Sequence, residues 1–277
     1  MRLPLALVLA AGLSFPALAQ VGSPPPPKPA AQPEAPKGIP VPDGPVVNKQ
    51  ELEGGLIIED LKIGDGYVLK EGGAAVAYYH GTLKADGKEF DSAFRRGQPE
   101  SFVLPAMIAG WQKGIPGMKV GGIRRLTVPA ALAYGPQGNG SVIPPNSDLV
   151  FVIQVVDALQ VEDLKAGDGE TAEAQFVAVT AQTIKDKDGK EIQKLDAAHP
   201  YIWLPGEMSG PGGRFDAMQE GINGMKVGGK RRITIPAEMN VTPPQLNTTR
   251  PQNVPLVIDV DLVAVRNLPA APGSRRR

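Results

Sequence analysis

The stretch AGWQKGIPGMKVGGIRRLTVPAALAYG, at Ala109–Gly135, contains a six-residue motif that the chain uses twice. GMKVGG stands at Gly117–Gly122 and again at Gly224–Gly229, and each copy is soon followed by two arginines, a short β-branched run and a proline. A fainter echo joins LKIGDG at Leu61–Gly66 to LKAGDG at Leu164–Gly169. Because the two echoes keep the same order and nearly the same separation, they predict a duplicated domain rather than an array of short repeats.

The size and charge of the chain fit a pair of ordinary globular domains. Its 277 residues have room for about two domains, each large enough to bury a core. With 29 basic and 29 acidic residues, the chain gives no electrostatic argument for nucleic acid or an anionic membrane as a partner. The sequence has no cysteine, and its two histidines, His80 and His199, lack ligand-like spacing. We therefore expect no disulfide, no metal and no cofactor.

Both ends of the sequence differ in composition from the middle. Residues 1–19 have the pattern of a signal peptide, with a positive start, an apolar run and an A-x-A cleavage site; an uncleaved anchor is the alternative. Residues 20–50 are rich in proline and predict a disordered tether, acting as a spacer or as a polyproline ligand. Residues 268–277 predict a disordered basic tail. The leader predicts an exported protein without a membrane anchor after cleavage, and the lack of cysteine favours a bacterial periplasm.

The first copy of the domain, residues 51–158, is predicted to be mostly strands and turns. Ala74–Tyr79 has strand composition, and a turn at Asp86-Gly87 joins it to Glu89-Phe90-Asp91 as a hairpin. Asp148–Val156 is apolar on both alternating sets, which predicts a central strand covered on both faces. A further strand is predicted at Ile123–Val128.

One helix is predicted in this copy, at Ala106–Lys113, before Gly114 and Pro116 end it. In that helix Met107, Ile108 and Trp111 would share one face. Several strands with a single helix across one face indicate an α+β arrangement of small twisted sheets.

The second copy, residues 159–267, repeats the plan. A strand is predicted at Ala174–Thr180, and Asp188-Gly189-Lys190 predicts its hairpin turn. The closing strand, Leu256–Val263, alternates cleanly, so Asp259 and Asp261 are predicted to face water. A helix is predicted at Phe215–Glu220 and a strand at Lys230–Ile235.

Four motifs of the first copy occur in a fixed order over one domain length. They are EFDSAF at Glu89–Phe94, IAGWQKGIPGMKVGG at Ile108–Gly122, LAYG at Leu132–Gly135 and VIPPNSDLVF at Val142–Phe151. Together they resemble the FKBP-type peptidyl-prolyl cis/trans isomerases. The resemblance implies a half-open antiparallel sheet wrapped around a short helix, with a pocket between helix and sheet. We therefore expect two tandem FKBP-like domains of the α+β class.

The resemblance also implies the residues of the pocket. In the family a backbone N–H at the position of Ile108 and a hydroxyl at Tyr134 hold the carbonyls of the bound peptide. Two positions depart from the family: Glu100 replaces a frequent aromatic residue, and Asn139 stands where a histidine is sometimes found. The implied catalytic residues are Tyr79, Phe90, Asp91, Trp111, Tyr134 and Phe151, and the implied substrate-binding residues are Met107, Ile108, Val142 and Ile143.

The residues taken alone leave another interpretation open. Trp111, Phe90 and Phe151 could simply be core, and Asp91 could be an ordinary ion-pair partner of Arg95 or Arg96.

The second copy lacks the pocket residues. Met218 falls at the position of Trp111, while Ile192 and Gln193 fall at those of Phe90 and Asp91. We expect isomerisation of X-Pro bonds in unfolded or nascent exported proteins by the first copy, with macrolide inhibitors of the family as further ligands. The alternative is a non-enzymatic chaperone or adaptor that binds peptides.

Overall fold

A computed structural model describes residues 38–173, 175–206, 216–241 and 251–269 of the chain. Within these residues the chain forms two antiparallel sheets with three short helices, as the α+β prediction expected. The predicted signal peptide, most of the predicted tether and nearly all of the predicted basic tail lie outside the described residues.

The first sheet has seven strands. They are β1 (Asn48–Leu52), β2 (Leu56–Lys62), β3 (Ala74–Leu83), β4 (Glu89–Ser92), β5 (Glu100–Val103), β6 (Ile123–Val128) and β7 (Leu149–Ala158). The strand order is β1-β2-β6-β7-β3-β4, and β5 also pairs with β3. Strand β7 is therefore central, as its apolar pattern predicted. The predicted hairpin joins β3 to β4 through Gly87, whose φ of 71° requires the left-handed region.

The predicted helix at Ala106–Lys113 begins too early. The chain first makes a 3-10 turn at Leu104–Ala106, with Pro105 near its start, and Met107 then adopts extended backbone. Helix α2 begins only at Ala109 and ends at Gly114, with Ile108 as its N-cap residue. Met107 and Ile108 therefore do not share a helical face with Trp111; they form a short extended segment before it. Helix α1, Ala93–Arg96, follows β4 and is capped by the Ser92 hydroxyl.

Part of the segment predicted as a disordered tether belongs to the first sheet. Residues 48–50 lie in β1, which pairs along its whole length with β2. Before β1, the Ile39 N–H donates to the carbonyl of Phe94 at 2.8 Å, and Asp43 pairs with Arg125 at 3.2 Å. Ile39 supplies a backbone N–H and Asp43 a negative charge, and these two groups hold the segment to the first domain. The proline-rich composition on which the tether was predicted does not reveal such contacts.

The second sheet has six strands in the order β10-β9-β13-β12-β8, with β11 also paired to β9. The strands are β8 (Gln160–Lys165), β9 (Phe176–Asp186), β10 (Glu191–Leu195), β11 (Tyr201–Trp203), β12 (Lys230–Ile235) and β13 (Leu256–Asn267). The hairpin predicted at Asp188-Gly189-Lys190 joins β9 to β10. Helix α3 spans Ala217–Ile222 and is capped by Asp216, two residues later than the predicted start; Phe215 lies outside the described residues.

One prediction about β13 is wrong. Asp259, predicted to face water, is only 8% exposed. Its carboxylate accepts hydrogen bonds from Arg232 at 2.7 Å and from Lys185 at 2.9 Å. These two long side chains on the flanking strands cover the carboxylate, so the alternation identified the sheet face correctly but not its degree of exposure.

The arginine that follows each GMKVGG motif makes equivalent contacts in the two domains. In the first domain Arg124 donates to Asp60 at 2.6 Å and to the carbonyl of Gly114 at the end of α2. In the second domain Arg231 does the same with Asp163 at 2.6 Å and with Gly221 in α3. The first arginine after each GMKVGG motif thus fixes the carboxyl end of a helix to the neighbouring strand.

Within each domain the LKxGDG motif packs against the GMKVGG motif through a glycine. A Cβ added at Gly64 would lie 2.3 Å from the carbonyl oxygen of Val120, and one at Gly167 would lie 2.3 Å from that of Lys226. Only glycine permits this backbone approach. Both motifs are therefore repeated because they build the scaffold.

The two domains share part of one hydrophobic core. Ala74, Val76 and Val103 of the first sheet are buried in the same cluster as Trp203 and Met239 of the second domain. The 3-10 turn Ala237–Met239 also packs against β5. Strand β5 of the first domain therefore packs against the second domain.

Candidate active site

A cleft of about 620 Å³ opens between β3, β5 and the segment that precedes α2. Trp111 forms its floor and is only 5% exposed. The rings of Tyr79, Phe102 and Phe151 surround the indole edge-on, with centroid distances of 5.6, 5.0 and 5.3 Å. Phe90 extends this wall by a further edge-on contact with Phe151 at 5.6 Å. Such edge-to-face packing holds the aromatic surfaces in fixed orientations.

Two glycines allow this aromatic arrangement. A Cβ at Gly81 in β3 would lie 2.6 Å from the Phe90 ring and 3.1 Å from the Phe151 ring. A Cβ at Gly110 in α2 would lie 2.4 Å from Val128 of β6. The first glycine leaves space for the wall, and the second lets the helix that carries Trp111 sit close to the sheet.

A polar network borders one side of the cleft. The Tyr79 hydroxyl donates to Asp91 at 2.5 Å, and Arg96 donates to the other oxygen of Asp91 at 2.5 Å. Arg96 also donates to the Tyr79 oxygen at 3.0 Å and to Glu100 at 2.6 Å. Helix α1 makes this possible because it returns the chain from β4 so that Arg96 faces Asp91.

The network determines the ionisation of its members. Burial alone would raise the pKa of Asp91, but hydrogen bonds from Tyr79 and Arg96 outweigh it and hold that pKa below its ordinary value. Burial, assisted by the bond to Asp91 and the charge of Glu100, raises the pKa of the Tyr79 phenol. At neutral pH the site therefore contains a carboxylate and a neutral phenol that is a fixed donor.

Three residues that line the cleft carry further hydrogen-bond donors. The Ile108 N–H, at the start of α2, has no acceptor among the residues that the structure describes. Tyr134, in the loop beyond β6, is about one-third exposed and lines the cleft. Burial raises the pKa of its phenol, although a hydrogen bond with Asn139 opposes the shift. The buried indole N–H of Trp111 likewise has no partner in the described part of the chain.

The structure brings most of the sequence-predicted site residues to this one cleft. Val142 and Ile143 are not among its lining residues: Val142 is 51% exposed, and Ile143 is buried in the core of the first domain. The residues that do line it are Tyr79, Phe90, Asp91, Met107, Ile108, Trp111, Tyr134 and Phe151.

Sequence reasoning missed the contribution of β5. Phe102 packs directly on Trp111, and the rest of the lining is Ser101 and Val103 of β5, Ala106 of the 3-10 turn, and Glu100, which the sequence resemblance had indicated at the rim. The signal for Phe102 was available, since it is an aromatic residue in a short β-branched and aromatic run beside the helix. The sequence indicates Arg96 only as an ion-pair partner of Asp91, whereas the structure places it at the centre of the network, in contact with Asp91, Tyr79 and Glu100.

The equivalent region of the second domain is filled by other side chains. Sheet register places Gln182 where the first domain has Tyr79, and Ile184 where it has Gly81. Trp203 takes the position of Phe102, and its indole N–H donates to Gln182 at 3.1 Å. Met218, at the position of Trp111, is fully buried. Ile184, at the position of Gly81, is also buried.

The sequence model of one family matches both domains. It is described as FKBP-type peptidyl-prolyl cis-trans isomerase, and it matches residues 66–156 and 165–263, more than half of the chain. The chain belongs to this family. Each of the two sheets therefore belongs to an FKBP domain, and the first domain contains the four motifs on which the resemblance was based.

Individual relatives match one FKBP domain of this chain. A probable FK506-binding protein of Corynebacterium glutamicum is 47% identical over 103 residues, which cover 37% of this chain and 86% of that protein. The FKBP-type peptidyl-prolyl cis-trans isomerase FkpA of Escherichia coli is 44% identical over 103 residues, 37% of either chain. This chain thus spans most of the first relative but only about a third of the second.

Similar solved structures also cover single domains or repeats. The crystal structure of Escherichia coli FkpA is 41% identical, covers 40% of this chain and 51% of its own, and has a TM-score of 0.38. The three FKBP domains of a wheat protein cover 78% of this chain at 20% identity, with a TM-score of 0.38. Among the residues described here, no helix is long and apolar enough to cross a membrane, and no cluster of acidic and histidine side chains could hold a metal ion.

Proposed function

We propose that the first FKBP domain catalyses cis/trans isomerisation of X-Pro peptide bonds in the cleft above Trp111. The observation that carries this proposal is the enclosed aromatic cleft, in which three rings surround the indole while the Ile108 N–H is left without an acceptor. The catalytic residues are Tyr79, Phe90, Asp91, Trp111, Tyr134 and Phe151, and the residues that bind the flanking peptide are Met107 and Ile108. Exposed Val142 contacts the peptide from the adjoining loop, which buried Ile143 holds in place.

The chemistry requires neither a nucleophile nor a proton transfer. Rotation about a prolyl bond is slow because amide resonance imposes a barrier of ~18–20 kcal/mol. Water favours the planar, charge-separated amide, whereas an apolar aromatic cleft removes that solvation and favours the twisted form. Lowering the barrier by ~7 kcal/mol would accelerate rotation by about 10⁵-fold.

The residues of the cleft supply position as well as desolvation. The proline ring stacks over Trp111, and the Ile108 N–H and the Tyr134 hydroxyl donate to the carbonyls on either side of it. Asp91 is too firmly held by Tyr79 and Arg96 to exchange protons near neutral pH, so its charge acts electrostatically on the twisting amide.

We further propose that the protein acts on unfolded or nascent exported proteins in a bacterial periplasm. The leader pattern of residues 1–19 supports export. Since several relatives are named FK506-binding proteins, the same cleft is also proposed to bind macrolide inhibitors of the family.

The deciding experiment measures cis/trans exchange of a prolyl tetrapeptide by magnetisation-transfer NMR, with the leader-free chain added in catalytic amounts. Acceleration that a macrolide inhibitor abolishes is the expected result. A folded protein that leaves the exchange rate at its uncatalysed value would overturn the proposal.

A second candidate function is a peptide-holding chaperone, which the second domain favours. Ile192, Ile202 and Leu204 are large apolar residues that are all more than one-third exposed on β10, β11 and just beyond. Exposed apolar side chains of this kind suit transient contact with unfolded chains. Suppression of aggregation of a reduced, unfolding protein should persist in a Trp111→Leu variant if holding and catalysis are separate activities.

A further inference from the structure

The mouth of the cleft contains a carboxylate oxygen that no proton satisfies. Glu100 lies in β5, with its side chain 49% exposed, and its Oε1 atom accepts from Arg96 at 2.6 Å. Its Oε2 atom lies 3.3 Å from the Tyr79 hydroxyl. That hydroxyl has one proton, and it is directed to Asp91 at the shorter distance of 2.5 Å. Glu100 Oε2 is therefore left open to a donor from outside.

The charges around the cleft favour a cation there. Among the side chains that line it, Asp91 and Glu100 are acidic and none is basic. Arg96 lies behind them and supplies one positive charge against the two carboxylates. Arg96 is shared by both carboxylates, so one negative charge remains, and Glu100 Oε2 is the one carboxylate oxygen of the pair that neither Arg96 nor the Tyr79 proton reaches.

Glu100 is also placed where a bound peptide would pass it. The residue is the first of β5, and Phe102, two positions further on the same face, packs on Trp111. A peptide whose proline lies above Trp111 therefore passes Glu100 with a neighbouring residue. The ammonium or guanidinium of a Lys or Arg side chain is long enough to reach Oε2 while its methylene chain covers the aromatic wall.

We infer that Glu100 makes the cleft selective for prolyl bonds flanked by a lysine or arginine. This inference rests on the proposed isomerase function and specifies its substrate class. A partly exposed ion pair should change kcat/KM by about two- to fivefold, and less at high salt.

The test uses the full leader-free chain and three tetrapeptides that differ only in having Lys, Gln or Glu directly before proline, with a second set placing them directly after it. Exchange is measured by NMR without a helper protease, so that no second enzyme selects among the peptides. We expect the Lys peptide to exceed the Glu peptide in one of the two sets, with a ratio that falls between 20 and 500 mM salt.

Two variants decide whether Glu100 is responsible. Glu100→Gln keeps the acceptor for Arg96 and removes the charge, so the Lys/Glu ratio should fall to near one. The matched control is Glu89→Gln, which removes a carboxylate that pairs with Arg95 outside the cleft, and it should retain the ratio. A ratio of one in the unmodified chain, or one that survives Glu100→Gln, overturns the inference; failure of the chain to accelerate any peptide would instead overturn the isomerase function.

Discussion

The two FKBP domains keep the same scaffold but differ in what fills the space beside the helix. Both use an arginine after GMKVGG to bind the end of the helix, and both join equivalent strands through an Asp-Gly-Lys hairpin turn. In the first domain the Phe90 and Phe151 rings pack so closely against Gly81 that a Cβ would not fit, whereas in the second domain Ile184 stands at that position. Scaffold residues and site residues therefore changed independently after the duplication.

The second domain also packs against a strand that lines the cleft of the first domain. Val103 both lines the cleft of the first domain and packs in the core cluster of the second. A substitution in the core of the second domain can therefore alter the cleft of the first domain by displacing β5.

The largest expected effect comes from separating the two domains. Residues 38–158 alone, which include all of β1, should accelerate prolyl exchange, and residues 159–267 alone should not, because only the first set contains Trp111 and its aromatic wall. The isolated first domain should also melt at a lower temperature than in the full chain, since Ala74, Val76 and Val103 lose their packing partners. Exchange NMR and thermal unfolding of both fragments measure these outcomes, and equal activity in the second fragment would contradict the comparison.

The next effect compares the two residues at the equivalent helix position. Trp111→Leu removes the surface on which the proline ring stacks, and we expect kcat/KM to fall by about 10²-fold. Stability should fall by less than the ~3–5 kcal/mol of a Trp-to-Ala change, because Leu fills part of the volume and the unpartnered indole N–H is removed as well.

Met218→Leu is the matched control in the second domain. It conserves volume in a buried position and should cost less than ~1.5 kcal/mol without affecting catalysis. Specific activity and melting temperature are measured on the same samples of both variants. If Trp111→Leu lowered only the melting temperature, Trp111 would be core and the site would lie elsewhere.

A smaller effect is expected from Asp91→Asn. The change keeps the size of the side chain and an acceptor for Tyr79 but removes the charge that Arg96 pairs with. Activity should therefore fall by less than in Trp111→Leu and by more than in Tyr134→Phe, and kcat should fall more than KM rises. Full activity in this variant would exclude an electrostatic role for Asp91.

Tyr134→Phe should have a still smaller effect. It removes one hydroxyl from a partly exposed loop residue and leaves the apolar ring in place. The loss of one hydrogen bond, ~0.5–1.5 kcal/mol, corresponds to about a tenfold reduction in kcat/KM or less. The melting temperature should not change, so a large stability loss would indicate that the hydroxyl has a structural rather than a substrate-binding role.

Most of the scaffold and most of the cleft could be predicted from the sequence, for physical reasons that particular residues make clear. Strands and turns were predictable because Gly87 and the alternation of β13 are local signals. The start of α2 was not, because Met107 and Ile108 are helix-compatible and only their tertiary setting makes them extended. The burial of Asp259 depends on Arg232 and Lys185 from other strands, which no local pattern reports.

The side chains that fill the equivalent region of the second domain could not be predicted from the sequence, for a similar reason. The loss of the aromatic residues was visible at Met218 and Ile192. The hydrogen bond of Trp203 to Gln182, however, joins residues from two strands whose register only the sheet defines. Absence of a motif therefore predicted the loss of one site but not the structure that replaced it.

The smallest expected effect is that of pH on the rate. The pKa of Asp91 is lowered, so this residue stays ionised throughout the neutral range, and the stability it contributes is present above about pH 4 and lost only as the pH falls through its lower folded value. The pKa of Tyr79 is raised, so above about pH 10 the unfolded chain ionises first and stability declines as the pH rises. Neither His80 nor His199 lines the cleft, and histidine is the side chain that ordinarily titrates between these limits. We therefore expect kcat/KM to be nearly constant between about pH 6 and 8. A bell-shaped rate profile within it would show that a proton transfer limits the reaction, and desolvation of the amide could then no longer be the main source of the acceleration.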